Sequence, residues 1–404
     1  MKRILYMAPT SKIGGAERSL LELIGGLPRD RYEPFLLIPG EGPLADRARS
    51  LGTTVITDGW PAPLLRLGRE RTLMNRMLPI LAPALILPLL IRVARVVNEE
   101  GIDLIHTNGI KAHLAAWPAA CAYRIPLVWH LRDVLSPGLL RSGLRWITGW
   151  MPDLVIANSK ASAESTALGT PADRVRTIYN GLDTVEFAPH PPDPFLRDAL
   201  GIGRDDFVIG ALGMLTPLKG HIHLIRALPR ILEEVPGARL MIVGEEMYVT
   251  AGHGGYRRVL IDEIRRLELE KKVVLTGRRD DVVRIYNTMD IVVLCSVRPE
   301  SFGRVLVEAM SCERPVIGSD IGGPREIITR PEVGVLVPPA DHEALSSTIL
   351  ELYHDPGRRL RMSRAARMWV RERFALERHV RDVCEAYEAL LGPAAAHATG
   401  AVAS

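Results

Sequence analysis

The chain of 404 residues is 47% hydrophobic and 5% aromatic, enough for two ordinary domains with aliphatic cores. Fifty-one basic against forty-seven acidic residues leave a net charge of +4, and no block of like charge occurs, which argues against nucleic acid as a partner. Cys121, Cys295, Cys312 and Cys384 are widely spaced without a CxxC pair, so neither a zinc site nor a disulfide framework is indicated. The sequence opens Met-Lys-Arg and then a short apolar run, Ile4 to Ala8. That run is too short for a signal-peptide core and reads as a first strand, in a reducing, cytoplasmic setting.

After this strand (Arg3 to Ala8), a loop from Pro9 to Gly15 leads to a helix starting near Ala16. Gly14 and Gly15 form a permissive turn where backbone can approach a ligand closely. It is not the GxGxxG of a dinucleotide site. Further apolar strands read at Pro34 to Ile38, Thr54 to Thr57, Leu104 to Thr107, Leu127 to Leu131 and Leu154 to Asn158, with helical patterns between most of them. Such alternation predicts a doubly wound parallel sheet with ligands at the carboxyl ends of its strands. His106, His130, Asn158 and Ser159 all fall at such ends.

Residues 60 to 97 begin with Arg66, Arg69, Arg71 and Arg76 and continue as an apolar run from Met77 to Ile91. The run is shorter than the ~20 residues of a membrane span, and Pro79, Pro83 and Pro88 argue against one straight helix. A second segment, Leu139 to Trp150, mixes Trp, Leu and Arg in the manner of a membrane-interface helix; packing on the sheet is the equal alternative. The Asn180-Gly181 turn and the stiff stretch His190 to Pro194 mark the end of a first domain, placed at residues 1–185.

A second alternating series follows, with strands at Phe207 to Leu212, Arg239 to Val243, Lys272 to Thr276, Ile291 to Ser296, Val316 to Ser319 and Val333 to Val337. This predicts a second doubly wound domain over 186–373. An amphipathic helix over 374–391 and a disordered Ala-rich tail over 392–404 complete the chain. Lys219 lies at a strand-to-helix turn, a natural partner for a diphosphate. Gly244 ends the next strand, Arg278 and Arg279 follow the third, and Gly322-Gly323 open the loop after the fifth. Between the fourth and fifth strands lies Pro299-Glu300-Ser301-Phe302-Gly303-Arg304-Val305-Leu306-Val307-Glu308-Ala309-Met310. A helix starting at Phe302 offers free backbone N–H groups and its dipole to a phosphate. Glu300 and Glu308 on either side are placed to accept hydrogen bonds from sugar hydroxyls.

Glu300 and Glu308, with Ser-Phe-Gly between them and Glu-Ala-Met trailing, resemble the signature of the retaining glycosyltransferases of family 4, which have the GT-B fold. The resemblance implies two doubly wound, Rossmann-like domains facing a cleft, the 374–391 helix crossing back to the first. It implies transfer of a sugar, with retention and without a metal, from a nucleotide diphosphate sugar held by the second domain. The acceptor, a glycan or lipid-linked sugar, would be taken by the first, with peripheral contact at the inner face of a membrane. Glu300, Lys219 and His130 would be catalytic. Gly14, Gly15, Gly244, Arg278, Ser301, Phe302, Gly303, Arg304 and Glu308 would contact the donor, which is a co-substrate, so that no cofactor is expected. Two departures stand out: Met214 occupies the place of the family's arginine ahead of Lys219-Gly220, and Glu245 that of a second glycine after Gly244. Met214 keeps open a non-catalytic or weakly active partner subunit, and the shared fold keeps open a nucleotide-sugar epimerase.

Overall fold

The computed structural model describes residues 1–66, 74–135, 137–246 and 255–392. Arg69, Arg71 and all of the tail beyond Gly392 lie outside the described residues, as do the side chains of Arg66 and Arg76. The chain divides into two compact units, Met1–Gly181 with the segment from Leu376, and Leu182–Ala375. The division expected at 185/186 and 373/374 stands beside unit bounds at 181/182 and 375/376. A Cβ on Gly181 would stand 2.7 Å from Cβ of His379 and 2.8 Å from Cα of Leu376, so this glycine lets the last helix pack directly on the turn.

The first unit runs β1 (Lys2–Met7), α1 (Gly15–Gly26), β2 (Tyr32–Leu37), α2 (Pro43–Ser50), β3 (Thr54–Ile56), α3 (Ala62–Arg66), α4 (Met74–Glu99), β4 (Leu104–Asn108), α5 (Ile110–Tyr123), β5 (Leu127–Leu131), α6 (Leu139–Thr148), β6 (Leu154–Ala157), α7 (Lys160–Thr166) and β7 (Val175–Thr177). Among the described residues its strands form one parallel sheet in the order β3-β2-β1-β4-β5-β6-β7. Helices on both faces explain why the strands are apolar runs rather than alternating ones. On one face Ile4, Tyr6, Leu104, Val128 and Ile156 are buried, and on the other Leu5, Met7, Ile105, Leu127 and Trp129.

The second unit runs α8 (Pro194–Ala199), β8 (Phe207–Leu212), α9 (His221–Glu234), β9 (Ala238–Val243), α10 (Tyr256–Arg266), β10 (Val273–Gly277), α11 (Val282–Thr288), β11 (Ile291–Leu294), α12 (Arg304–Ser311), β12 (Val316–Ser319), α13 (Pro324–Ile327), β13 (Val335–Val337), α14 (His342–His354) and α15 (Pro356–Arg373). Its sheet, again parallel, has the order β10-β9-β8-β11-β12-β13. The final helix α16 (Leu376–Leu391) belongs to the first unit, where Val380, Val383, Cys384, Ala386 and Tyr387 join the core beside α1 and β1.

Two sequence readings need revision. The strand β7 was not foreseen; it is three residues long and half-exposed at the sheet edge, so it carries no buried apolar run. The prolines at 79, 83 and 88 do not break the chain, which forms one helix from Met74 to Glu99. Leu89, Val93, Val96 and Val97 of this helix are buried at helical spacing in the core against α5 and the sheet. That packing outweighs the backbone donors the prolines remove. Among the described residues no helix is long and apolar enough to cross a membrane.

Candidate active site

In the second unit β8 and β11 are neighbours, and the chain leaves them in opposite directions. Such a topological switch point opens a crevice at the carboxyl ends of the strands. Two turns meet there. After β8, Pro217–Lys219 form a single 3-10 turn closed by Gly220 at φ +68. A Cβ on Gly220 would stand 2.1 Å from the carbonyl oxygen of Cys295, so only glycine lets this turn press against the end of β11. The Val297 N–H donates to the Leu218 carbonyl at 2.9 Å and ties the two loops. The Lys219 ammonium thereby meets Glu300, donating to its Oε1 at 2.5 Å, while the Ser296 hydroxyl donates to the same oxygen at 2.5 Å.

Glu300 is mostly buried, with 16% of its side chain exposed. Burial pushes its carboxyl up, but the charge and hydrogen bond of Lys219, with Ser296, outweigh this and hold it below the ordinary value. It is therefore an anion at neutral pH. Its backbone is fixed as firmly. Gly323 N–H donates to the Glu300 carbonyl at 2.9 Å, and Glu300 and Gly322 form an isolated parallel bridge. A Cβ on Gly322 would lie 2.5 Å from the Glu300 oxygen, and one on Gly323 would lie 2.3 Å from the Phe302 oxygen. The Gly-Gly pair thus seats the loop that carries Glu300.

The helix expected to begin at Phe302 begins at Arg304, with Gly303 as its N-cap at φ +99. Phe302 is a core residue, 3% exposed and edge-on to Phe374 at 5.7 Å, so it reaches the loop surface only through its backbone. Glu308 is buried one turn into α12. It accepts from Arg304 Nε at 2.6 Å through Oε1 and from the Tyr286 hydroxyl at 2.7 Å through Oε2. Arg304, expected to contact the donor, is thus oriented by Glu308, four residues on. Ser301 is half-buried in the loop between.

Gly244 (φ +151) has its place because a Cβ there would sit 1.9 Å from the Gly213 oxygen, where the ends of β8 and β9 touch. Arg278 is exposed and lies 3.9 Å from Glu245 and 3.6 Å from Asp280. Met214 is half-buried beside Gly213. The remaining expected residues belong to the first unit. Gly14 and Gly15 begin α1, where Gly14 N–H donates to Glu17 Oε2 at 3.0 Å and a Cβ on Gly15 would meet open space. His130, on β5, is fully buried within a polar cluster with His106, Arg132 and Tyr387. Ser296, Tyr286 and Arg132 were not singled out from the sequence. Arg132 was legible only as the charge two places after His130 at a strand end. Among the described residues no group of three or more His, Cys, Asp or Glu side chains is placed to hold a metal ion.

The chain matches family models over both units: Glycosyltransferase Family 4 over residues 13–186 and Glycosyl transferases group 1 over 193–369. An uncharacterized glycosyltransferase of Methanocaldococcus jannaschii is 29% identical over 309 residues, covering 72% of this chain and 77% of the relative. N-acetyl-alpha-D-glucosaminyl L-malate synthase of Bacillus anthracis is 27% identical over 307 residues, covering 72% of this chain and 75% of the relative. Among solved structures, Anabaena HepE in complex with UDP-glucose superposes with a TM-score of 0.82 at 29% identity, covering 96% of this chain and 100% of HepE.

Proposed function

The chain belongs to the GT-B glycosyltransferases related to family 4, and from that premise we propose that it transfers a sugar, with retention of anomeric configuration and without a metal, from a nucleotide diphosphate sugar to a glycan or lipid-linked acceptor. The observation that carries this reading is the Lys219–Glu300 pair at the switch point of the second unit, with Glu300 in the loop that leads into α12 and its Glu308. Lys219 brings a point charge and three donors to the diphosphate, whose charge grows as the glycosidic bond breaks. The first N–H groups of α12 add a second electropositive element. Glu300, an anion held by Lys219 and Ser296, orients the sugar hydroxyls and faces positive charge developing on the ring. Glu308, braced by Arg304 and Tyr286, accepts from the ribose. HepE, solved with UDP-glucose, makes a uridine nucleotide the first donor to try.

The first unit takes the acceptor in this reading. Contact with a membrane surface is supported by exposed Trp146 (71%) and Trp150 (45%), whose rings meet edge-on at 5.4 Å. The arginines of α6 have another duty. Arg141 and Arg145 donate to the carbonyls of Ser165 and Glu164 and cap the end of α7. The function is tested by incubating the protein with UDP-, GDP- and ADP-sugars and a panel of glycan and lipid-linked acceptors. NMR of the product then reads the anomeric configuration. An α-product from an α-linked donor is expected. An inverted product contradicts retention, and an epimerised sugar nucleotide in the absence of acceptor contradicts transfer.

A further inference from the structure

We infer that Arg132 is a positioning residue that fixes His130 in its Nε2–H tautomer and leaves the Asn108 amide nitrogen as a second donor, so that the pair gives hydrogen bonds to a substrate oxygen instead of taking a proton. This rests on the reading of His130 as a residue of the transfer site.

A guanidinium only donates. Arg132 Nη2 stands 3.2 Å from His130 Nδ1, so that nitrogen is bare and accepts. In a neutral imidazole the proton is then on Nε2. The same choice runs back through the cluster. His106 Nε2 lies 3.1 Å from His130 Nδ1 and must donate to it. His106 Nδ1 is therefore bare and accepts from the Tyr387 hydroxyl at 2.6 Å. The Tyr387 oxygen in turn accepts from Tyr6 at 3.0 Å. The chain has a single polarity, from Tyr6 on β1 through Tyr387 on α16 to His130 on β5.

Arg132 sets the neighbouring amides in the same way. Its Nε donates to Asn108 Oδ1 at 2.8 Å, and its Nη1 donates to Asn180 Oδ1 at 2.6 Å. Asn108 and His130 are register partners on β4 and β5, so both side chains stand on one face of the sheet. His130 Nε2 and Asn108 Nδ2 are both buried and, among the described residues, neither has a hydrogen-bond partner. Two buried donors without acceptors, on register partners of neighbouring strands, are a standing cost that an oxygen-bearing ligand removes. Burial, Arg132 and the rings of His106, His379 and His113 all disfavour the imidazolium, so His130 stays neutral and keeps this role. The matching ligand group is a hydroxyl, ring or phosphate oxygen of the sugar donor or of the acceptor.

The test is long-range 1H–15N correlation on the full chain with 15N-labelled imidazoles, with His130 assigned by difference against His130→Gln. The expected pattern is a neutral ring protonated at Nε2. An Nδ1–H pattern, or an imidazolium at pH 7, overturns the proposal, read on the native protein with His130→Gln serving only to assign the signals. In Arg132→Met, with its fold checked by circular dichroism, the His130 signals move toward a mixture of tautomers. Turnover of the sugar nucleotide gives the second readout. Glutamine places an N–H near Nε2, so His130→Gln keeps kcat/KM within about 3-fold of the native enzyme, while His130→Ala loses about 10-fold or more. The acid limb of the pH profile is the same in the native and Gln enzymes. Equal losses in the two variants overturn donation. Native turnover in His130→Ala, with the Nε2–H signal present, overturns the site reading of His130 while the tautomer assignment stands. A loss confined to the KM for the nucleotide sugar places the oxygen on the donor, and one confined to the acceptor KM places it there.

Discussion

Replacing Lys219 by methionine keeps most of the side-chain volume and removes the cation from Glu300. At the observed 2.5 Å contact, the gross attraction is about 7 kcal/mol at an effective dielectric of 20. Desolvation of both groups offsets much of it. Breaking one side of a buried pair typically costs about 3–5 kcal/mol, because the other charge is left behind. Here 25% of the lysine and 16% of the glutamate side chain remain exposed, and Ser296 still donates, so the lower end, about 3 kcal/mol, is expected. At roughly 2–4 °C per kcal/mol, the transition of the second unit falls by about 6–12 °C. The sign of the pH dependence changes as well. In the native protein the Glu300 carboxyl is held below its ordinary value of 4.5. Its contribution is present above that value and is lost as pH falls through the folded one. Without Lys219, burial is the dominant influence and raises the carboxyl, so Lys219→Met loses stability as pH rises from 5 toward the raised value. Urea denaturation at pH 5 and pH 8 measures this, with Glu300→Gln added in both backgrounds. If Lys219→Met melts within 1 °C of the native protein, or keeps the native pH dependence, the pair does not carry the energetics assigned to it.

Gly322→Ala strains a backbone at φ +66 and drives a Cβ to 2.5 Å from the Glu300 oxygen. The expected cost is about 1–3 kcal/mol, with kcat reduced by about 10-fold to 100-fold as Glu300 shifts; thermal melting and initial rates check it, and native turnover would show that the seating of this loop is immaterial. Gly15→Ala is the contrast, since its Cβ meets open space at the start of a helix. Its stability is unchanged or raised by up to about 1 kcal/mol, so a fall in kcat/KM would register a ligand passing there, and native kinetics would remove Gly15 from the site. Incubation with EDTA leaves transfer unchanged under the metal-independent reading, and loss of activity restored by Mg²⁺ or Mn²⁺ would refute it.

Most strands were legible because a sheet covered on both faces needs runs such as Ile291–Leu294, which are apolar at every position. Lys219, Glu300 and Glu308 were legible as residue types at the ends of such runs. Their partners were not. Lys219 and Glu300 are 81 residues apart and meet because β8 and β11 are neighbours in the sheet, which no local pattern encodes. Tyr286 reaches Glu308 from α11, a seven-residue helix without a motif. The starting point of α12 was misplaced by two residues because Phe302 and Gly303 were read as helix, whereas Phe302 turns into the core and Gly303 takes the left-handed conformation that begins it. Helix α4 shows the opposite error. The rule for proline is local, and the burial of Leu89, Val93, Val96 and Val97 that overrides it is tertiary.

The central claim is a nucleotide diphosphate sugar site in the second unit, built on Lys219, Glu300 and Glu308. Its most direct test is calorimetric titration of the protein with UDP, GDP, ADP and their glucose conjugates, repeated on Glu308→Ala. One nucleotide is expected to bind, its sugar conjugate as well, and Glu308→Ala to weaken both by about 10-fold or more, as when a charge-assisted hydrogen bond is removed. Absence of binding by every nucleotide, or equal affinity in Glu308→Ala, would contradict this claim.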